Sequence, residues 1–148
     1  MKKDVLISVK GLQFGNDVDE DMVEIITSGS YYKKNNKHYL MYDEITEGFE
    51  GATKNVVKFD GSTLDLTKSG ITNVHMIFEQ NKKNITNYIT PYGNILIGID
   101  AQKVDVAETD ESIKINIDYA LEVNYEFLAD CKIKMDITSR GGSEFTLH

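Results

Sequence analysis

Residues 113–127 read IKINIDYALEVNYEF, and this stretch decides the fold. Ile113, Ile115, Ile117, Tyr119, Leu121, Val123, Tyr125 and Phe127 hold every odd position. Lys114, Asn116, Asp118, Ala120, Glu122, Asn124 and Glu126 hold the even ones. Successive side chains of a strand point to opposite faces, so the pattern describes one buried and one solvated face. The run exceeds one ordinary strand. A bend or hairpin is therefore expected within residues 124–129, with Cys131, Ile133, Met135 and Ile137 continuing the apolar face on a last strand.

The same period spreads outward along the chain. Val5, Ile7 and Val9 alternate with Leu6, Ser8 and Lys10. Val23 and Ile25 lead through Thr27 and Gly29 to Tyr31. His38, Leu40 and Tyr42 alternate with Tyr39, Met41 and Asp43, and Val74, Met76 and Phe78 with His75 and Ile77. Ile95, Ile97, Ile99 and Ala101 open a strand that extends to about Val106. Turn residues punctuate these runs: Asn35-Asn36, Asp60-Gly61, Asn81-Lys82, Tyr92-Gly93 beside Pro91, and the looser span from Gly48 to Gly51. Residues 17–26 are the one helix candidate, but the β-branched Ile25-Ile26-Thr27 makes them turn and then strand. The sum is an all-β chain of about 8–10 antiparallel strands, because the connections are too short for parallel crossovers. A sandwich and a closed meander barrel both fit, and the long runs favour the barrel. The 148 residues make one domain, 1–148, with flexible ends expected at 1–3 and 140–148.

Composition removes several function classes. Net charge is −8, and the lysines are scattered among acids, so nucleic acid is not an expected partner. Arg140 is the lone arginine, which leaves little bidentate recognition of phosphate or carboxylate. Cys131 is the lone cysteine, so no internal disulfide forms, as suits a reducing compartment. Met1-Lys2-Lys3 imitates a secretion signal, but Ser8 and Lys10 interrupt the apolar run behind it. No stretch reaches the roughly 18–20 apolar residues of a membrane helix. The expected location is the cytoplasm, without membrane attachment.

From about Tyr31 onward the chain resembles the YwiB family, small bacterial proteins of unknown function with a calycin-like (lipocalin-like) barrel. Carrying the resemblance are Tyr39-Leu40-Met41-Tyr42-Asp43-Glu44, then Lys68-Ser69-Gly70 with Met76-Ile77-Phe78. Tyr88-Ile89-Thr90-Pro91-Tyr92-Gly93 and Ile117-Asp118-Tyr119 complete the ordered set. Lys68 departs from the family pattern, which usually has Arg there, and a lysine does not reproduce an arginine's fork. The resemblance implies a calycin-like fold with room for an interior cavity, and no reaction.

A small barrel is either filled by side chains or holds one small ligand. The candidate lining, by parity, is Tyr42, Met76, Phe78, Tyr88, Tyr119, Leu121 and Tyr125, apolar with a few phenols. The default reading of the same residues is an ordinary packed core, each phenol satisfied by a neighbouring carbonyl.

Other chemistry fails on spacing. Asp17, Asp19, Glu20 and Asp21 begin like a calcium loop, but Met22 stands at the glycine position and Ser28 at the closing glutamate. His38, His75 and His148 have no metal spacing with one another or with Cys131. Ser28, Ser30, Ser62 and Ser69 sit beside turn glycines, not in a nucleophile elbow, and Cys131 lies on an apolar face without a base. Gly141-Gly142 and the Gly48–Gly51 span match no phosphate loop. Asp118, Glu122 and Glu126 share the outward face, as does Asp100, where no burial raises a pKa for acid catalysis.

No cofactor is expected, and an enzyme ranks last. The leading expectation is a non-catalytic barrel that takes a small apolar ligand or a peptide through its open end. The alternative is a filled structural or interaction barrel, monomeric or homodimeric, with Tyr32, Tyr39, Met41 and Phe49 as a contact patch.

Overall fold

The computed structural model describes residues 3–11, 24–45 and 48–140. The period-two stretches become β1 (Asp4–Lys10), β2 (Glu24–Lys34), β3 (Lys37–Ile45), β4 (Ala52–Phe59) and β5 (Thr63–Ser69). They continue as β6 (Val74–Glu79), β7 (Lys82–Thr90), β8 (Gly93–Glu108), β9 (Ser112–Val123) and β10 (Glu126–Ser139). All ladders are antiparallel, in the order β6-β5-β4-β3-β2-β1-β10-β9-β8-β7. The molecule is an all-β, nearly closed ten-stranded barrel.

Its closure is unusual in chain order. The first and last strands pair in full register, from Val5 with Ser139 to Lys10 with Lys134. The seam instead falls between β6 and β7, which follow each other in sequence. There the strands share one bridge, Asn73 to Ile89, with 2.9 Å bonds in both directions. A side-chain amide adds to it, Asn84 Nδ2 donating to the Ile77 carbonyl at 3.3 Å, while Gln80 Oε1, just after β6, accepts from the Val104 amide of β8 at 3.0 Å.

Turn chemistry follows the sequence. Asn35 and Asn36 both have positive φ, 54° and 64°, as a two-residue hairpin with right-twisted strands requires. The Asp60 carboxylate accepts from the Ser62 and Thr63 amides at 3.0 Å each, which fixes the β4–β5 turn and holds its pKa low. Two bulges bend the long strands, one between Ala101 and Lys103 and one between Phe127 and Ala129. At Gly29 an added Cβ would lie 2.5 Å from Ile7 Cδ1 and 2.6 Å from the Met41 carbonyl oxygen, so glycine permits the tight curl of β2.

The odd face of β9 points inward with Val5, Ile7, Leu40, Leu66, Met76 and their neighbours as one continuous core. Twelve large side chains there are under 2% exposed, which makes the barrel's middle closely packed. Antiparallel order puts the β1–β2, β3–β4, β5–β6, β7–β8 and β9–β10 connections at one end, here called the upper end. The lower end carries the other turns. It is closed by Phe59 stacked on His38 (4.6 Å between ring centres), the Tyr31 hydroxyl 2.7 Å from His38 Nδ1, and Lys33 on Glu108 at 3.4 Å. The described residues include no helix long and apolar enough to cross a membrane.

Candidate functional site

Along the inner face the apolar side chains give way to polar ones at the ends, to His38 at the lower end and to a larger group at the upper. On β3, His38, Leu40 and Tyr42 are followed by Glu44; on β4, Phe59 and Val57 lead up to Asn55 and Thr53. On β5, Leu64 and Leu66 lead to Lys68. Cross-strand register aligns them, with Tyr42 opposite Asn55 and Asn55 opposite Lys68. Glu44 and Thr53 form the next row up.

Lys68 is 6% exposed and Asn55 wholly buried. The Lys68 ammonium donates to Glu44 Oε1 at 2.8 Å and to Asn55 Oδ1 at 2.9 Å, while Asn55 Nδ2 donates to Glu44 Oε1 at 3.3 Å. A buried charge needs this kind of pairing, since an isolated one costs many kcal/mol. Gly70 lets the chain close over the cluster. Its φ is 143°, and an added Cβ would sit 2.4 Å from the Ala52 carbonyl oxygen. Just beyond, the Ile71 amide donates to Thr53 Oγ1 at 3.2 Å.

Two phenols complete the cluster. Burial pushes the Tyr42 hydroxyl far above its ordinary range, and the nearby Glu44 adds to this. Tyr88 is raised by burial too, against a hydrogen bond to Thr72 and with a smaller push from Glu44. Both remain neutral hydroxyls at physiological pH, suited to hydrogen bonding and not to proton abstraction. The arrangement can hold and orient a polar group.

Of the residues singled out by parity, Tyr42, Met76, Phe78, Tyr119 and Leu121 are buried on the inner face, and Tyr88 is half-buried against it. They do not form one site. Phe78 meets Tyr119 edge-on at 5.1 Å in the packed middle, whereas Tyr42 and Tyr88 belong to the upper cluster around Glu44.

Tyr125 corrects the sequence reading. It is 71% exposed, at φ 70°, because β9 ends at Val123 and Asn124-Tyr125 is the hairpin turn. Phe127, expected on the buried face, is 64% exposed for the related reason that the bulge after it resets the alternation. The expected contact patch also splits. Tyr32 and Tyr39 stack at 4.7 Å toward the lower end, while Phe49 lies at the upper end against Tyr92, 6.1 Å away.

The Tyr119 hydroxyl is buried, and the side chain that interacts with it is the Cys131 thiol. Burial raises both its pKa and that of Cys131, opposite it in the ladder, so this thiol is no activated nucleophile. On the β8–β10 wall, Gln102, Asp118, Tyr119, Asp130, Cys131 and Lys132 line a depression of about 240 Å³. No group of three His, Cys, Asp or Glu among the described residues is placed to hold a metal ion. His75 is exposed and pairs with Asp65 at 2.6 Å. The acidic run from Asp17 to Asp21, Gly141-Gly142 and His148 lie outside the described residues.

Above the cluster stands an apolar rim. Eight of the ten exposed large hydrophobic side chains among the described residues fall at the upper end, among them Tyr92 (87%), Ile95, Tyr125, Phe127 and Leu128. The β7–β8 hairpin rises past the last β8–β9 pair, Ile97 with Val123, and the Asn124 amide ties the neighbouring turn to the Leu96 carbonyl at 2.8 Å. Sequence reasoning missed Lys68, Asn55 and Glu44 as a unit, although the signal was present: each continues the parity of buried apolar neighbours.

Comparison with known proteins agrees with this architecture. The chain is 27% identical over 128 residues to the uncharacterized β-barrel protein YwiB of Bacillus subtilis (strain 168), covering 86% of this chain and 87% of that one. It superposes on the crystal structure of the B. subtilis ywiB protein with a TM-score of 0.75 at 23% identity, over 94% of this chain and 92% of the other, a likeness of fold. Residues 7–135 match the family described as Domain of unknown function (DUF1934), and to that family of uncharacterised β-barrels the chain belongs.

Proposed function

We propose that the protein is a non-catalytic binding module of the cytoplasm that takes a peptide or a small, largely apolar molecule at its upper end. The observation that carries this reading is the coincidence of the exposed apolar rim with the buried Lys68–Glu44–Asn55 cluster beneath it. An apolar surface with a few fixed polar groups is the usual composition of a ligand site. Because the middle of the barrel is filled, the occupant rests in the mouth. The resemblance to calycin-like barrels and the free, half-buried Cys131 are in keeping with this reading.

The test is Nile red, a neutral apolar dye, titrated into the protein and into the Tyr92→Ser/Phe127→Ser variant. Enhanced, blue-shifted emission that the variant loses is expected; emission indifferent to the substitutions refutes the reading. The filled middle also favours a second reading, a structural barrel that pairs with its own copy. Sedimentation equilibrium separates the two, since the second requires a dimer that forms without any ligand.

A further inference from the structure

We propose that the occupant of the upper end is a basic, amphipathic polypeptide segment, an inference that rests on the binding-module reading above. Tyr92, Ile95, Tyr125, Phe127 and Leu128 are between 40% and 87% exposed. At the usual size of such side chains they present roughly 600 Å² of apolar surface. That is at or above the largest patch of an ordinary monomer, and the exposed Ile26, Ile45 and Ile89 add to it at the same end.

Charge selects among segments. Asp43, Glu50, Glu126 and Asp130 stand exposed around the upper end. Of the lysines near it, Lys68 is committed to Glu44, Lys54 faces Asp43 across the β3–β4 ladder, Lys132 pairs with Asp118, and Lys10 ends β1. At the lower end charge is balanced, with Lys33, Lys37 and Lys82 in ion pairs with Glu108, Asp60 and Glu79. The upper end is therefore an apolar centre in an acidic frame, on a chain of net charge −8. A second copy brought up two-fold would set like charges against each other, which opposes pairing, whereas lysines or arginines flanking apolar residues would be attracted.

The probe is a short fluorescein-labelled peptide of alternating lysine and leucine, compared with one of alternating glutamate and leucine by fluorescence anisotropy. The full chain is expected to bind the first, to lose affinity as salt rises toward ~0.3 M, and to ignore the second. The Glu50→Gln/Glu126→Gln/Asp130→Asn variant is expected to bind the basic peptide roughly tenfold more weakly. Its Nile red emission should stay that of the parent. Equal binding of the two peptides, or a triple variant with parental affinity, overturns the basic partner while leaving the Nile red result standing. A dimer that the Tyr92→Ser/Phe127→Ser variant breaks overturns it as well, in favour of a second copy. Loss of the Nile red dependence on Tyr92 and Phe127 refutes the binding-module reading itself.

Discussion

Replacing Lys68 by methionine tests whether the upper cluster is a cooperating unit. The substitution keeps an unbranched apolar stem of nearly the same length and removes the ammonium with its charge and donors. Asn55 Oδ1, wholly buried, loses the donor 2.9 Å away, which costs about 1–3 kcal/mol. Glu44 keeps the Asn55 amide but loses its cation at 2.8 Å. Breaking a fully buried pair costs about 3–5 kcal/mol, and the 18% exposure of the Glu44 side chain reduces that share. The sum expected for Lys68→Met is about 2–4 kcal/mol, seen as a fall of roughly 5–12 °C in Tm for a domain of this size. Urea denaturation should give the same loss at an unchanged m-value. Adding Glu44→Gln to Lys68→Met should recover about 1 kcal/mol, because the second change removes a partly buried charge that has lost its cation. Lys68→Arg, which keeps the charge and donors on a different head group, should lose less than Lys68→Met. A Lys68→Met protein within about 0.5 kcal/mol of the parent, or a double variant no better than the single one, would refute the argument.

Tyr125→Gly relieves a side chain held at φ 70° and should raise stability by about 0.5–1 kcal/mol while lowering Nile red emission, a gain measurable by urea titration. Gly70→Ala forces a Cβ against the Ala52 carbonyl at a φ of 143° and should cost about 2–4 kcal/mol. The control Gly61→Ala, with open space around it, should be near neutral by the same assay. Burial holds the His38 pKa below its usual value, against Glu108 and Asp60 and with a small assist from Lys33. The unfolded chain therefore binds the extra proton first, so His38's contribution is complete above about pH 6.5 and is lost as pH falls toward the folded pKa. In His38→Gln that part of the pH–stability slope, followed by denaturation between neutral and mildly acidic pH, should vanish.

The strands were legible because one face of each is buried: Val5-Ile7-Val9 and the odd residues from Ile113 to Val123 kept their parity in the fold. Tyr125 was misplaced because alternation continues formally through a two-residue turn, and nothing in Asn124-Tyr125 resembles the usual Asn-Gly. The bulges at Gln102 and Leu128 left no compositional trace. Lys68 was noticed only as a departure from a family pattern. Its place beside Leu64 and Leu66 in the period was the physical clue, and reading it required treating a charged residue on an apolar parity as meaningful. The seam between β6 and β7 was hidden for a different reason. Consecutive strands joined by a short turn ordinarily pair, and here closure at β1–β10 takes the place of that hairpin ladder.

The β1–β10 ladder has a further consequence for how the chain is made. Ser139 leaves the ribosome long after Val5, its partner in the ladder. Until then β1 can pair only with β2, and its inner residues Val5, Ile7 and Val9 lack the wall that finally covers them. Contacts so distant in sequence make folding slow and leave a sticky edge open while translation proceeds. Lys10 and Lys134, like charges set opposite each other on the outer side of that ladder, stand where a stray strand would try to join first. The last strand acts as the keystone of the barrel, and the nascent protein stays vulnerable to aggregation until it is set.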